Sequence, residues 1–314
     1  MALAFPEGIK TNCMKKIVFI WTASAALMAF TIFFSSCGRF GSKQSAGNKN
    51  DSIRIVCASK QITELMFALG QGDKLVGVDV SSTYPEAATE ITTVGYHRML
   101  NAEGIISLKP SAFIYNGGAD NAVGPDNVIP QLQKVGVTVV EFRSAENIED
   151  TKSLIRDLGK YFNVPAKADS LCRIMDSTMK LAEEKRKQYT DTPKVMIVHF
   201  GRAGNKYFPF GPKGAPNFIL TQAGGVNVLD STQKFRELSP EVLAETQPDV
   251  IIATDYGYDK LGADNFKAMP GMALTPAAKN NRIYRFEEHD LFYLGPRTGE
   301  NIIKLMEVIH KKPM

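Results

Sequence analysis

The stretch 166–189, AKADSLCRIMDSTMKLAEEKRKQY, is charged, amphipathic and free of Gly and Pro, and its reading decides the architecture. Apolar residues at Leu171, Ile174, Met175, Met179 and Leu181 roughly follow a helical stripe. Pro165 suits a first helical turn, and Asp191-Thr192-Pro193 stops the run. Twenty-four residues at about 1.5 Å each predict a rod of roughly 36 Å, too long for an ordinary crossover.

On either side of this rod, apolar runs alternate between strand and helix patterns. Upstream, IRIVCAS, KLVGVDV, SAFIYN and VTVVEF read as strands, and ITELMFALG, NAEGIISLKP, VIPQLQKVG and NIEDTKSLIRDLGKYF as helices. Downstream, KVMIVHF, DVIIATDYG and RIYRFE read as strands, and PNFILTQAGG, SPEVLAETQP and GENIIKLMEVIHKK as helices. Strands alternating with helices predict parallel sheets covered on both faces. The fold class expected is therefore α/β, with two Rossmann-like lobes joined by one long helix. The lobes are expected at 53–163 and 192–314, with the connecting helix at 164–191. An internal echo supports two related halves. Asn101-Ala102-Glu103 runs to Pro110 and a buried strand, and Ser239-Pro240-Glu241 runs to Pro248 and another, with the same spacing. Each half thereby presents a glutamate in the first turn of a capped helix, where it complements the helix dipole.

Length and composition bound the rest. The chain has 314 residues, 44% hydrophobic and 22% charged, which excludes a largely disordered chain and a polytopic membrane protein. A net charge of +4, with no clustered basic face, gives no nucleic-acid footprint. At the N-terminus, Met14-Lys15-Lys16 precedes an uncharged, mostly apolar run, Ile17 to Phe34, then Ser35-Ser36-Cys37. That order describes a secretory signal ending at a cysteine, with Met14 the better start and 1–36 a leader. A retained membrane anchor is the alternative. Residues 38–52, rich in Gly, Ser, Asn and Lys, read as a tether. Cys57 and Cys172 are read as two buried thiols, a disulfide being the alternative.

The signal ending at Cys37 resembles the lipobox of bacterial lipoproteins, which implies lipidation of Cys37, export and a periplasmic, membrane-anchored protein. The two-lobed pattern with its long helix resembles the class III periplasmic binding proteins of ABC importers for vitamin B12, ferric siderophores and haem. The segment Val94 to Ile105, VGYHRMLNAEGI, is similar to the VGY-x-R-x-L-[SN]-AEG-[IV] stretch of the haem-binding branch. Phe235-Arg236-Glu237-Leu238-Ser239 and Leu294-Gly295-Pro296-Arg297-Thr298 look like that branch more weakly.

What the resemblance implies is a transported ligand rather than a catalytic cofactor: ferric haem, bound between the lobes. A phenolate is a hard anionic oxygen suited to ferric iron, and tyrosine is a known haem ligand type. Tyr96 occupies the position of the family's axial tyrosine, and Arg98 is placed to lower its pKa. His199, ending the first strand of the second lobe, is the candidate second iron ligand, and His97 is a weaker one. Arg236 suits a propionate. Tyr207, Phe208, Phe210, Tyr256 and Tyr258 are candidate cleft walls, or core. His289 is expected to face solvent, His310 to play no part, and Arg297 to be structural. By the resemblance, Glu103 and Glu241 dock on arginines of a two-fold permease, with its ATPase beyond, and the protein is a monomer. No G-x-S-x-G elbow, HExxH or P-loop is found, so an enzyme is not expected. Vitamin B12 or a ferric siderophore on the same fold remain alternatives, as does a haem scavenger without an importer or, further off, a chelatase-like enzyme.

Overall fold

In the computed structural model the described residues are 53–96, 99–117, 128–145, 147–201, 206–230 and 237–311. The leader, Cys37 and the tether lie outside them, as do His97, Arg98 and Arg236. In chain order, β1 (Ile55–Cys57), α1 (Lys60–Ala68), β2 (Leu75–Val78), β3 (Gly95–Tyr96), β4 (Met99–Leu100), α2 (Ala102–Ser107), β5 (Ala112–Gly117), α3 (Ile129–Lys134), β6 (Thr138–Arg143) and α4 (Ile148–Tyr161) precede the long helix α5 (Pro165–Arg186). After it come β7 (Lys194–Gly201), β8 (Lys206–Pro209), α6 (Gly214–Gln222), β9 (Val226–Asn227), α7 (Pro240–Thr246), β10 (Val250–Thr254), α8 (Asp255–Leu261), α9 (Ala263–Lys267), α10 (Pro276–Lys279), β11 (Ile283–Phe286), α11 (Glu288–Phe292) and α12 (Thr298–Ile309).

The first sheet runs β2-β1-β5-β6, all parallel. The second runs β11-β10-β7, also parallel. The outer edge of β7 is shared: β9 pairs parallel with its start, and β8 pairs antiparallel with its end. Apolar side chains cover both faces of each sheet, as parallel sheets require. Ile62, Leu65, Met66 and Leu69 pack beside Ile55, Cys57 and Ile114 on one face of the first sheet, and Val56, Phe113 and Ile105 on the other. Val195, Ile197 and Ile252 of the second sheet pack against Ile302, Leu305 and Ile309, and Met196, Val198 and Ile251 against Val242, Leu243 and Phe266.

The internal echo extends to atomic detail. Asn101 Oδ1 accepts from Gly104 N at 3.2 Å to cap α2, and Ser239 Oγ accepts from Val242 N at 3.4 Å to cap α7. Both helices end on a left-handed residue immediately before the proline, Lys109 at φ 48° and Gln247 at φ 41°. The next side chain then secures the neighbouring strand: Ser111 Oγ accepts from Arg54 N at 3.0 Å, and Asp249 Oδ2 accepts from Lys194 N at 2.9 Å.

Two expectations need correction, and two features were not foreseen. The long helix ends at Arg186, short of Tyr189, because its last turn is closed by backbone bonds to Lys185 and Arg186 carbonyls. The run DVIIATDYG is a strand only to Thr254, and Asp255 begins a helix. Strand β8, KYFP, is additional to the expected strands, and its proline is tolerated at the sheet edge. Gly95 and Tyr96 belong to a short strand and not to an irregular loop. Cys57 and Cys172 are both free and buried.

Candidate functional site

Strands β3 and β4 form an antiparallel hairpin in which Gly95 pairs with Leu100 and Tyr96 with Met99. The hairpin hangs from the first sheet, because Val94 N donates to Val78 O at 2.9 Å and Val80 N donates to Gly95 O at 2.9 Å. Gly95 sits at φ 107°, and a Cβ there would stand 2.8 Å from the Met99 carbonyl oxygen. The glycine of the VGY motif is thus required by both dihedral and space. Val94 and Leu100 are both buried in the core and anchor the hairpin, and Tyr96 is half-buried. Met99 is exposed, and Asn101 then caps the helix carrying Glu103.

His199 lies on β7 directly opposite Phe208 of β8. Its ring is 4.9 Å from Phe210, 5.5 Å from Phe292 and 6.0 Å from Phe208, centroid to centroid. Burial among these rings, with Lys60 adding to it, holds its pKa below the ordinary histidine value against the pull of Glu288. This shift favours the neutral imidazole over the charged form. Phe292 is shared with the other half of the chain, since Lys60 Nζ lies 5.4 Å above its ring and 4.6 Å above that of Tyr293. Lys60 also pairs with Glu288 at 3.0 Å.

The remaining aromatic candidates are placed in the wall of the second half. Tyr207 packs on Phe200 and Phe266, and its hydroxyl donates to Gly257 O at 2.7 Å. Tyr258 packs on Phe266 at 5.3 Å. Burial raises both hydroxyl pKa values, first and foremost, which disfavours phenolate at either. Tyr256 is 39% exposed and meets Phe200 at a tilt, ring centroids 5.8 Å apart. Glu237, beside Arg236 in sequence, is paired with Lys206 at 2.6 Å. Glu103 and Glu241 are both exposed in first turns, and the Ser239 hydroxyl holds the Glu241 carboxyl below its usual range.

His289 overturns its expectation. It is 8% exposed, not solvent-facing, and its Nε2 bonds Glu64 Oε2 at 2.6 Å. Arg297 Nε donates to Glu64 Oε1 at 2.9 Å, its Nη1 donates to Asp290 at 2.8 Å, and its guanidinium lies 3.7 Å from the Tyr84 ring centroid. Its structural role is thus wider than the start of the last helix: it ties the second half to α1. Sequence reasoning missed Lys60, Glu64 and Glu288 altogether. The signal available was a helix, ITELMFALG, with a glutamate inside its apolar pattern. His310 bonds Asp191 at 2.7 Å and stacks on Tyr189, a purely structural place. A surface hollow of about 240 Å³ lined by Lys267, Ala273, Lys279, Asn281 and Ile283 contains none of the candidate residues.

A family model described as periplasmic binding protein matches residues 55–289. An uncharacterised ABC transporter substrate-binding lipoprotein of Bacillus subtilis, YvrC, is 26% identical over 95% of this chain and 98% of its own. The vitamin B12-binding protein of Vibrio parahaemolyticus is 28% identical over 81% of this chain and 88% of its own. Among solved structures, the periplasmic heme-binding protein RhuT of Roseiflexus sp. RS-1 superposes with a TM-score of 0.74 at 31% identity, covering 82% of this chain and 97% of that one. With two parallel sheets either side of one long helix and the family match spanning both, the chain belongs to the periplasmic binding proteins and is not an enzyme.

Proposed function

We propose that this protein is the substrate-binding lipoprotein of an ABC importer and that its ligand is ferric haem, coordinated by Tyr96. The observation that carries the reading is the hairpin of Gly95 and Tyr96: a glycine-dependent strand pairing sets one half-buried tyrosine opposite Met99, two residues from Arg98 in sequence, within the segment that resembles the haem-binding branch. The likeness to the periplasmic heme-binding protein of Roseiflexus supports it. Neutral His199, in its cage of Phe208, Phe210 and Phe292, is the candidate second ligand, and Arg98 and Arg236 are the candidate cations for the phenolate and the propionates. Tyr256, with its ring partly in solvent, is the best placed of the second-half tyrosines to meet a ligand. Tyr207 and Tyr258 serve the wall.

Export, lipidation at Cys37, a tether over 38–52, lobes at 53–163 and 192–314 and a monomeric state complete the reading. Glu103 and Glu241, one in each half at equivalent helix starts, are the contacts offered to a two-fold permease. Vitamin B12 is the second reading, favoured by the name of the Vibrio relative. An absorption titration with hemin, run beside Tyr96→Phe, decides between them. Haem coordination gives a saturable Soret shift with a high-spin ferric charge-transfer band that the variant loses. No shift with hemin, and a shift with cyanocobalamin, would replace haem by the corrinoid.

A further inference from the structure

Met99 is 78% exposed, the most exposed large hydrophobic side chain among the described residues. A scattered surface methionine needs no explanation. This one is set by register. Leu100, its neighbour, packs into the first core with Val94 and Ile105. Side chains alternate across a strand, so Met99 points to the opposite, outer face. Met99 is directly paired with Tyr96. Residues directly opposite in an antiparallel pair share a face, with Cβ atoms about 4.5–5.5 Å apart. A Cβ at position 95 would stand 2.8 Å from the Met99 carbonyl oxygen, so a slip that put another residue there would be disfavoured.

We propose that Met99 is a ligand-contacting residue, an apolar platform standing beside Tyr96 on the same face. The inference rests on the reading of Tyr96 as the haem ligand. A porphyrin carried by its iron over the phenolate spreads well past the neighbouring side chain, and so comes down on Met99. An unbranched, polarisable thioether adapts to a flat aromatic surface better than a branched or charged side chain would. Covering it removes an apolar surface that the free protein leaves in water. Met99 thereby adds affinity and favours a planar aromatic macrocycle over a hydrated chelate of the same charge, without touching the iron.

The test is an oxidation footprint on the leaderless chain, with gallium(III) protoporphyrin as the probe because peroxide does not turn it into a ferryl oxidant. Brief dilute peroxide converts exposed methionine to its sulfoxide, read by peptide mass spectrometry. Met66, Met175, Met196, Met272 and Met306, all buried, serve as internal references. The expected result is that saturating porphyrin slows sulfoxide formation at Met99 by about tenfold or more and leaves the references unchanged. Met99→Ala should weaken hemin binding by about tenfold while keeping the phenolate-to-iron charge-transfer band that Tyr96→Phe loses. Saturable, Tyr96-dependent porphyrin binding with Met99 oxidised at its free rate would overturn this proposal and leave the haem reading standing. No saturable porphyrin binding would overturn the haem reading itself, and the proposal with it.

Discussion

Replacing Glu64 by alanine should destabilise the whole folded chain, although Glu64 lies in the first half and its partners are more than two hundred residues away. Glu64 is 7% exposed, and its two oxygens accept from His289 Nε2 at 2.6 Å and Arg297 Nε at 2.9 Å. Among the described residues His289 Nδ1 has no hydrogen-bond partner, and the Glu64 bond is the only hydrogen bond its ring makes. Alanine would leave that buried ring unsatisfied at both nitrogens and leave Arg297 with Asp290 alone. Breaking a buried pair from one side costs roughly 3–5 kcal/mol, and the surviving Arg297–Asp290 bond places this case at the low end, about 3 kcal/mol. For a domain of this size each kcal/mol moves Tm by about 2–4 °C, so a fall of about 6–12 °C is expected in differential scanning calorimetry. Burial is the largest influence on the Glu64 carboxyl and pushes its pKa up. The His289 hydrogen bond and the charges of His289 and Arg297 outweigh it together, and the net shift is downward. A depressed carboxyl contributes stability that is present above the ordinary carboxylate range and lost as the pH falls through its folded pKa. The difference between wild type and variant should therefore hold at about pH 5 and above and shrink below about pH 4. A Tm within about 2 °C of wild type near neutrality, or a difference that grows on acidification, would refute the reasoning.

Three further outcomes follow from other parts of the fold. Changing Glu103 and Glu241 together to glutamine should leave ligand affinity unaltered and abolish stimulation of a reconstituted importer's ATPase; stimulation that survives would remove both from the docking surface. Gly299→Ala should destabilise by about 1–3 kcal/mol, because its Cβ would stand 2.4 Å from the Thr178 backbone of α5 where α12 crosses it; equal denaturation midpoints would show that the helices can part at little cost. Cys57 should resist iodoacetamide at pH 8 in the native state and react on unfolding, since burial pushes its thiol up to about 12; rapid native labelling would place it at the surface instead.

The fold was legible wherever a segment buries itself by its own periodicity. The long helix, the parallel strands and the paired helix caps all rest on local apolar spacing, and Asn101 and Ser239 cap where the sequence places them. What escaped were features whose cause lies in another segment. KYFP becomes a strand because the end of β7 offers it an open edge, and its proline sits opposite Val198 without disrupting the rest of the sheet. His289 reads as a solvent residue among Glu287, Glu288 and Asp290, yet Glu64 and Tyr84 from the first half cover it. At the candidate site, the motif identifies Tyr96 but not Met99, because only the register of the hairpin shows that the two share a face.

The polar residues of α1 show what that covering achieves. Lys60, Gln61 and Glu64 are all buried on a helix whose Ile62, Leu65 and Met66 fill the first core. The polar three turn instead toward the second half: Lys60 to Glu288 at 3.0 Å, Gln61 Nε2 to Leu294 O at 2.8 Å, Glu64 to His289 and Arg297. Thr151 of α4 reaches the same Leu294 carbonyl at 3.5 Å. An apolar seam at this join would hold the halves by area alone and let them slide, because apolar contact has no direction. A seam of donors and acceptors admits one arrangement in which each is satisfied. Its net gain in stability is small, since taking these charges out of water offsets most of their attraction. Removing one member is nevertheless costly, because the others stay buried. The two statements agree: the intact network contributes orientation more than energy. It fixes the angle at which Lys60 and Phe292 meet, beside His199.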